Sequence, residues 1–246
     1  MSEAHLIQAD REKIIQNFHV RDQNIEALVL EPKSGTASCV IISFSAMNKE
    51  SRYDRWSWFH RRHELEEDTL FICFRDDEKL YYLGGKDQPM GVRYKRFLAR
   101  YLEKYHLAMD RVYAVGSSMG GYAALYYGFL YGFARVCATN PQIDYKSARR
   151  HEYYNWERQM LLIGDKFEDL QDFIFRVKGC PRIFLGYSDY AADSHAADRF
   201  ITALHERKLS YIREFASTDD HSGYALTEDR FFNLIAYWRS EPVVAL

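Results

Sequence analysis

The sequence predicts an α/β chain: a mostly parallel central sheet with helices on both faces. Three observations carry this. Strand-length runs such as 38–44 (SCVIISF) and 69–74 (TLFICF) are apolar along most of their length, the mark of strands buried on both faces. Segments with apolar residues at helical spacing alternate with the strand-like runs. A Gly-rich turn, Gly116 to Gly121 (GSSMGG), joins an apolar strand to a helix rich in small residues.

Taken in order, the run IEALVL reads as a strand ended by Glu31-Pro32, followed by strands over 38–44 and 69–74. Residues 91–105 place Val92, Phe97, Leu98, Tyr101 and Leu102 on one helical face. A short strand over Arg111–Val115, a helix over Met119–Tyr131 and a strand near Ala134–Thr139 follow. Residues 145–178 read as helical and charged, with no strand, and offer a small cap over the mouth of a site. Then come a strand over 182–186 (RIFLG), a helix over 194–207, a strand over 211–216 (YIREFA) and a closing helix over 227–239. In such sheets ligands bind at the C-terminal ends of the strands.

The 246 residues suit a single domain over 1–246, and there is no repeat and no linker rich in Pro, Gly or Ser. A formal net charge of −2 gives no basis for a nucleic-acid partner. The basic cluster between Arg55 and His63 runs straight into Glu64, Glu66, Glu67 and Asp68, as a solvated helix face of mixed charge does. Aromatic residues make up 16%, which suits core bulk first and an aromatic-lined groove second. Cys39, Cys73, Cys137 and Cys180 show no CxxC pair or Cys/His ligand spacing, so no metal site is expected. The first three lie in apolar runs and read as buried reduced thiols of a cytoplasmic protein. The N-terminus shows no apolar signal region, and no run approaches the ~18 apolar residues of a membrane span.

The chemistry centres on Gly116-x-Ser118-x-Gly120. This spacing makes a sharp strand-to-helix turn that lifts the middle side chain clear of the sheet. Small residues two positions before and after avoid a clash between strand and helix. The helix N-terminus beneath favours developing negative charge. No Gly-Lys-Ser/Thr follows, which disfavours a phosphate loop. A serine hydroxyl needs a base, and His221, in the loop after strand 211–216, stands where one is needed. The orienting acid is expected between them. Asp189, just past strand 182–186, is the first choice. Asp193 is the second, its other reading being a helix cap, and Asp144 the third. Asp219 and Asp220 lie too close to His221 in sequence to be preferred. Two N–H donors are expected for the oxyanion: Met119, after the nucleophile, and Ala46 in the loop after strand 38–44, with Ser45 as the alternative. A His63-x4-Asp68 spacing, as in some glycerolipid acyltransferases, arises readily by chance in a charged helix.

With Ser118, Asp189 and His221 in this order, the chain resembles the α/β-hydrolase superfamily from about residue 26 to its end. Within it, Phe44-Ser45-Ala46, Arg52-Tyr53, Asp76-Asp77, Tyr81-Tyr82-Leu83-Gly84 and 116–125 (GSSMGGYAAL) are similar to a bacterial subgroup found with surface-polysaccharide and glycoprotein-export systems. One relative there is the accessory-secretion component that modifies sugars on exported adhesins. The resemblance implies an α/β-hydrolase fold and a serine esterase acting on an acyl group, such as acetyl, of a surface glycan. An O-acyltransferase on a glycan is the alternative. From a different class, a non-catalytic hydrolase-like module would bind a glycan or a partner protein; a peptidase is also open. Neither a metal nor an organic cofactor is required. Ser45, Arg52, Tyr53, Tyr81 and Tyr82 would fall on loops at the mouth of the site and bind substrate. Their plainer reading is loop packing, with Arg52 paired to Asp76 or Asp77.

Overall fold

A computed structural model describes residues 12–47, 53–85 and 89–240. Residues 12–18 are helical (α1). A hairpin follows, β1 (His19–Asp22) at the partly exposed edge and β2 (Ile25–Leu30) largely buried, turned at Gln23 with φ 55°. Residues 19–22 are not among the expected strands, because a short edge strand with a polar outer face carries no apolar run. Then come β3 (Cys39–Phe44), α2 (Trp56–His63), β4 (Thr69–Arg75), α3 (Gly91–Lys104), β5 (Val112–Ser117) and α4 (Met119–Tyr131). β6 (Arg135–Thr139) leads into three short helices, α5 (Tyr145–Arg150), α6 (Tyr154–Ile163) and α7 (Leu170–Phe173). The chain closes with β7 (Arg182–Ser188), α8 (Ala191–Glu206), β8 (Tyr211–Ala216) and α9 (Glu228–Ser240).

Among the described residues eight strands form one sheet in the order β1-β2-β4-β3-β5-β6-β7-β8. β1 and β2 join antiparallel, and every pairing from β4 to β8 is parallel. The apolar runs are explained by burial on both faces. In β4, Leu70, Ile72 and Phe74 enter one core cluster while Phe71 and Cys73 enter the other. The first cluster includes Phe97 and Leu98 of α3, Leu125 and Phe129 of α4 and Phe200 of α8. The second includes Phe59 of α2 and Phe231, Phe232, Ile235 and Trp238 of α9. The expected helical face of α3 holds at Phe97, Leu98, Tyr101 and Leu102, but Val92 is 65% exposed and Tyr94 takes its place in the core. Cys39, Cys73 and Cys137 are buried free thiols. Among the described residues no helix is long and apolar enough to cross a membrane.

The register sets the rim that carries the site. Phe44 pairs with Gly116, Gly116 with Ala138, Ala138 with Leu185 and Leu185 with Arg213. The loops after β3, β5, β6, β7 and β8 therefore leave the sheet at the same end, as expected for a site at the strand C-termini.

Candidate active site

Ser118 sits between β5 and α4 with φ 53° and ψ −122°, a conformation that L-residues rarely adopt and that persists only where the surroundings enforce it. Three contacts do so. Ser118 N–H donates to Thr139 O at 3.0 Å, and its carbonyl accepts from Tyr122 N at 3.1 Å and Gln142 N at 3.3 Å. The glycines allow the close approach that this turn needs. A Cβ on Gly116 would lie 2.0 Å from Gly120 O, and one on Gly120 would lie 2.1 Å from Phe44 O.

Ser118 Oγ lies 2.8 Å from His221 Nε2. On the far side of the ring, Nδ1 lies 2.9 and 2.8 Å from the two carboxylate oxygens of Asp193. His221 is held by its loop: Ser188 Oγ donates to Asp220 O at 2.7 Å, Gly223 N–H donates to the same carbonyl at 2.8 Å, and Ser222 N–H donates to Asp220 Oδ1 at 2.9 Å. Asp193 is 2% exposed, in the first turn of α8. Burial pushes its carboxyl up to about 6, against the lowering pull of His221. The ring of Trp156, from α6, lies 4.5 Å from that of His221, and Tyr190 lies 5.8 Å from it. A cleft of about 430 Å³ opens beside the serine, lined among others by Ala46, Asp54, Arg55, Trp58, Asn140 and His221.

No family model matches the chain, and no curated protein does. Solved structures do match. The capsule O-acetyltransferase of Neisseria meningitidis serogroup A superposes with a TM-score of 0.62 at 15% identity, over 90% of each chain. The fluorophosphonate-binding serine hydrolase F of Staphylococcus aureus gives 0.65 at 13% identity, over 91% of this chain and 97% of that one. The glycosylation-associate protein (Gap123) complex of Streptococcus agalactiae gives 0.65 at 14% identity, over 90% of this chain but only 44% of that one. The chain has the α/β-hydrolase fold.

On this α/β-hydrolase frame the sequence-predicted residues divide. Ser118 and His221 are brought together; Asp189 is not brought to them. β7 continues through Ser188, so Asp189 still pairs by its N–H to Ala216 O, and its exposed carboxylate accepts from Ser217 Oγ at 3.1 Å. α8 begins at Ala191 rather than 194, which places Asp193 inside its first turn and not at the cap. The second-choice aspartate, and not the first, is therefore the carboxylate beside His221. Asp144 caps α5 through Ser147 N–H and lies 3.5 Å from Arg199, away from His221.

Met119 opens α4, where an N–H has no partner within its helix. Ala46 N–H donates to Asp54 Oδ2 at 2.7 Å, so the second expected oxyanion donor already holds a carboxylate. Ser45 is 2% exposed, its hydroxyl between Phe74 O and Asp54 N–H.

The tyrosines are core residues, contrary to the expected substrate contacts. Tyr81 donates to Gln142 Oε1 at 2.5 Å and is fully buried; Tyr82 donates to Ser45 O at 2.9 Å and is 1% exposed. Tyr53 is 3% exposed beneath the guanidinium of Arg75. Positive φ at Tyr81 and Tyr82, 57° and 64°, accompanies this inward packing. Asp76 holds the turn by accepting from Leu80 and Tyr82 N–H, both at 2.8 Å. Arg52 lies outside the described residues. Four further residues at the site, Arg55, Trp58, Asn140 and Trp156, are not among the residues expected there. Arg55 was absorbed into the charged helix face; the others carried no local signal.

Proposed function

We propose that this protein is a serine-dependent acyl-ester enzyme, with Ser118 as nucleophile, His221 as base and Asp193 as the orienting acid. The observation that carries the reading is the continuous chain of hydrogen-bond distances, Asp193 to His221 at 2.8 Å and His221 to Ser118 at 2.8 Å. A binding module has no physical need for all three groups in this geometry.

Ser118 Oγ attacks the acyl carbon while His221 Nε2 takes its proton. The tetrahedral oxyanion receives the Met119 N–H, with a second hydrogen bond from the loop after β3. Ala46 N–H serves there once the Asp54 carboxylate gives way, since two negative groups do not share one donor. The C–O bond to the leaving alcohol breaks, and His221 returns its proton to that oxygen. Water, deprotonated by His221, then attacks the acyl-enzyme, and the carboxylic acid leaves Ser118. The α5–α7 segment acts as a small cap: its Trp156 shields the His221–Asp193 pair from water.

The substrate class we propose is an acyl group, such as acetyl, on a surface glycan. A sugar hydroxyl in place of water gives O-acyl transfer. That second reading is favoured by the likeness to the capsule O-acetyltransferase, one structure of which is a complex with CoA. No step here requires a metal. The test is hydrolysis of 4-nitrophenyl acetate. The native protein is expected to release nitrophenol, and Ser118→Ala to lose about 10⁴-fold or more in kcat while remaining folded. Equal rates in both would remove the reading.

A further inference from the structure

Arg55 stands in an unfavourable position for an arginine. It precedes α2 in a left-handed conformation, φ 63° and ψ 8°, which a non-glycine residue adopts at a cost. Its side chain turns to the cleft, where it shares the wall with Ser118, Asn140 and His221. Nη2 donates to Ser117 Oγ at 2.6 Å, one residue before the nucleophile, and the guanidinium lies 5.5 Å from the Trp58 ring. Ser117 is also hydrogen-bonded to the Thr139 hydroxyl, so Arg55 is fastened to the elbow itself.

Among the described residues it has no counter-charge at contact. Its Nε is buried with no hydrogen-bond partner, and it forms no ion pair among the described residues. Asp54 attracts it only at longer range while accepting the Ala46 N–H. Desolvation is the largest influence on the guanidinium and pushes its pKa down. A desolvated cation without a contacting anion is unfavourable unless a bound group supplies the charge. Holding Ser117 in place needs only one neutral donor, so that task alone does not account for a guanidinium here.

We propose that Arg55 is the specificity-determining residue for an anionic group, a carboxylate or a phosphate, that the substrate carries close to its ester. The inference rests on the acyl-ester reading of this cleft and names the substrate class within it. The planar fork of N–H donors suits both groups.

The test is binding to Ser118→Ala, so that nothing is turned over. Methyl glucuronoside is compared with its neutral methyl ester, and glucose 6-phosphate with glucose, by calorimetry at low salt. One of the charged ligands is expected to bind about 10-fold tighter than its neutral counterpart, the scale of one charge-assisted hydrogen bond. Which pair shows the preference distinguishes carboxylate from phosphate. Adding Arg55→Gln should bring that ratio to about 1, and Arg55→Lys should retain part of it. If the glutamine variant does not fold, salt replaces it: the preference for the charged ligand must fall as salt rises. A ratio near 1 for both pairs, or one that survives Arg55→Gln, overturns the proposal. Fluorophosphonate labelling of the unmutated protein separates the two readings. Labelling at Ser118 without anion preference retains the esterase and removes Arg55's role. Anion preference without labelling retains an anion site at Arg55 and removes the ester reading on which its role in specificity rests.

Discussion

His221 Nδ1 lies within 2.9 Å of both carboxylate oxygens of Asp193, while Asp189, four residues earlier, is exposed and bonded to Ser217. Asp193→Asn should therefore lower kcat by about 10³–10⁴-fold, because the ring loses both its orientation and the charge that stabilises its cation. Asp189→Asn should change kcat by less than about 3-fold, since only a surface hydrogen bond is lost. Ester hydrolysis by the two variants checks this; a larger loss at Asp189 would exchange their roles.

The same burial sets a pH dependence. In the proposed mechanism the Asp193–His221 pair must take up the Ser118 proton, so one proton already added to the pair stops the reaction. With Asp193 pushed up to about 6, kcat/KM should rise as pH increases through that region. Trp156→Ala should hydrate the pair and move this acid limb to lower pH. A profile unchanged by removing Trp156 would argue against the shielding.

Stability should respond with the opposite sign. A folded-state value raised above the ordinary ~3.9 means that the fold prefers protonated Asp193. That contribution is present at low pH and is lost as pH rises through about 6. Asp193→Asn is free of this loss. Its Tm should gain on that of the native protein by a few degrees between pH 4 and 7. Thermal unfolding of the two proteins across that range measures it.

At the elbow, Gly116→Ala and Gly120→Ala each place a methyl about 2 Å from a backbone oxygen. Neither oxygen belongs to a movable side chain. Each substitution should destabilise by ~3 kcal/mol or more and abolish Ser118 reactivity. Denaturant unfolding checks the first effect and fluorophosphonate labelling the second.

Tyr81→Phe separates packing from binding. It leaves the buried Gln142 Oε1 without its donor, at a cost of about 1–3 kcal/mol. The KM for a nitrophenyl ester should stay within about 2-fold. A large rise in KM with unchanged stability would return Tyr81 to the cleft.

The elbow was legible because its signal is local: two glycines, a serine and the apolar strand before them lie within one short segment. His221 was legible from chain order. The carboxylate beside His221 was not, because the choice turns on where β7 ends and α8 begins. RIFLG reads as a complete strand, yet pairing with β8 carries it to Ser188 and takes Asp189 with it. Tyr81 and Tyr82 misled for a similar reason. A polar-flanked tyrosine pair looks like a rim, and only the positive φ angles and the buried acceptors Gln142 and Ser45 reveal that it turns inward. Arg55 stayed hidden among its charged neighbours, because its contact with Ser117 spans 62 positions of the chain.

The most direct measurement is the site of reaction with a fluorophosphonate, located by mass spectrometry of the digested protein. A single adduct is expected on Ser118, absent from Ser118→Ala and formed far more slowly in His221→Ala. An adduct on another serine, or none while folding is intact, would contradict it.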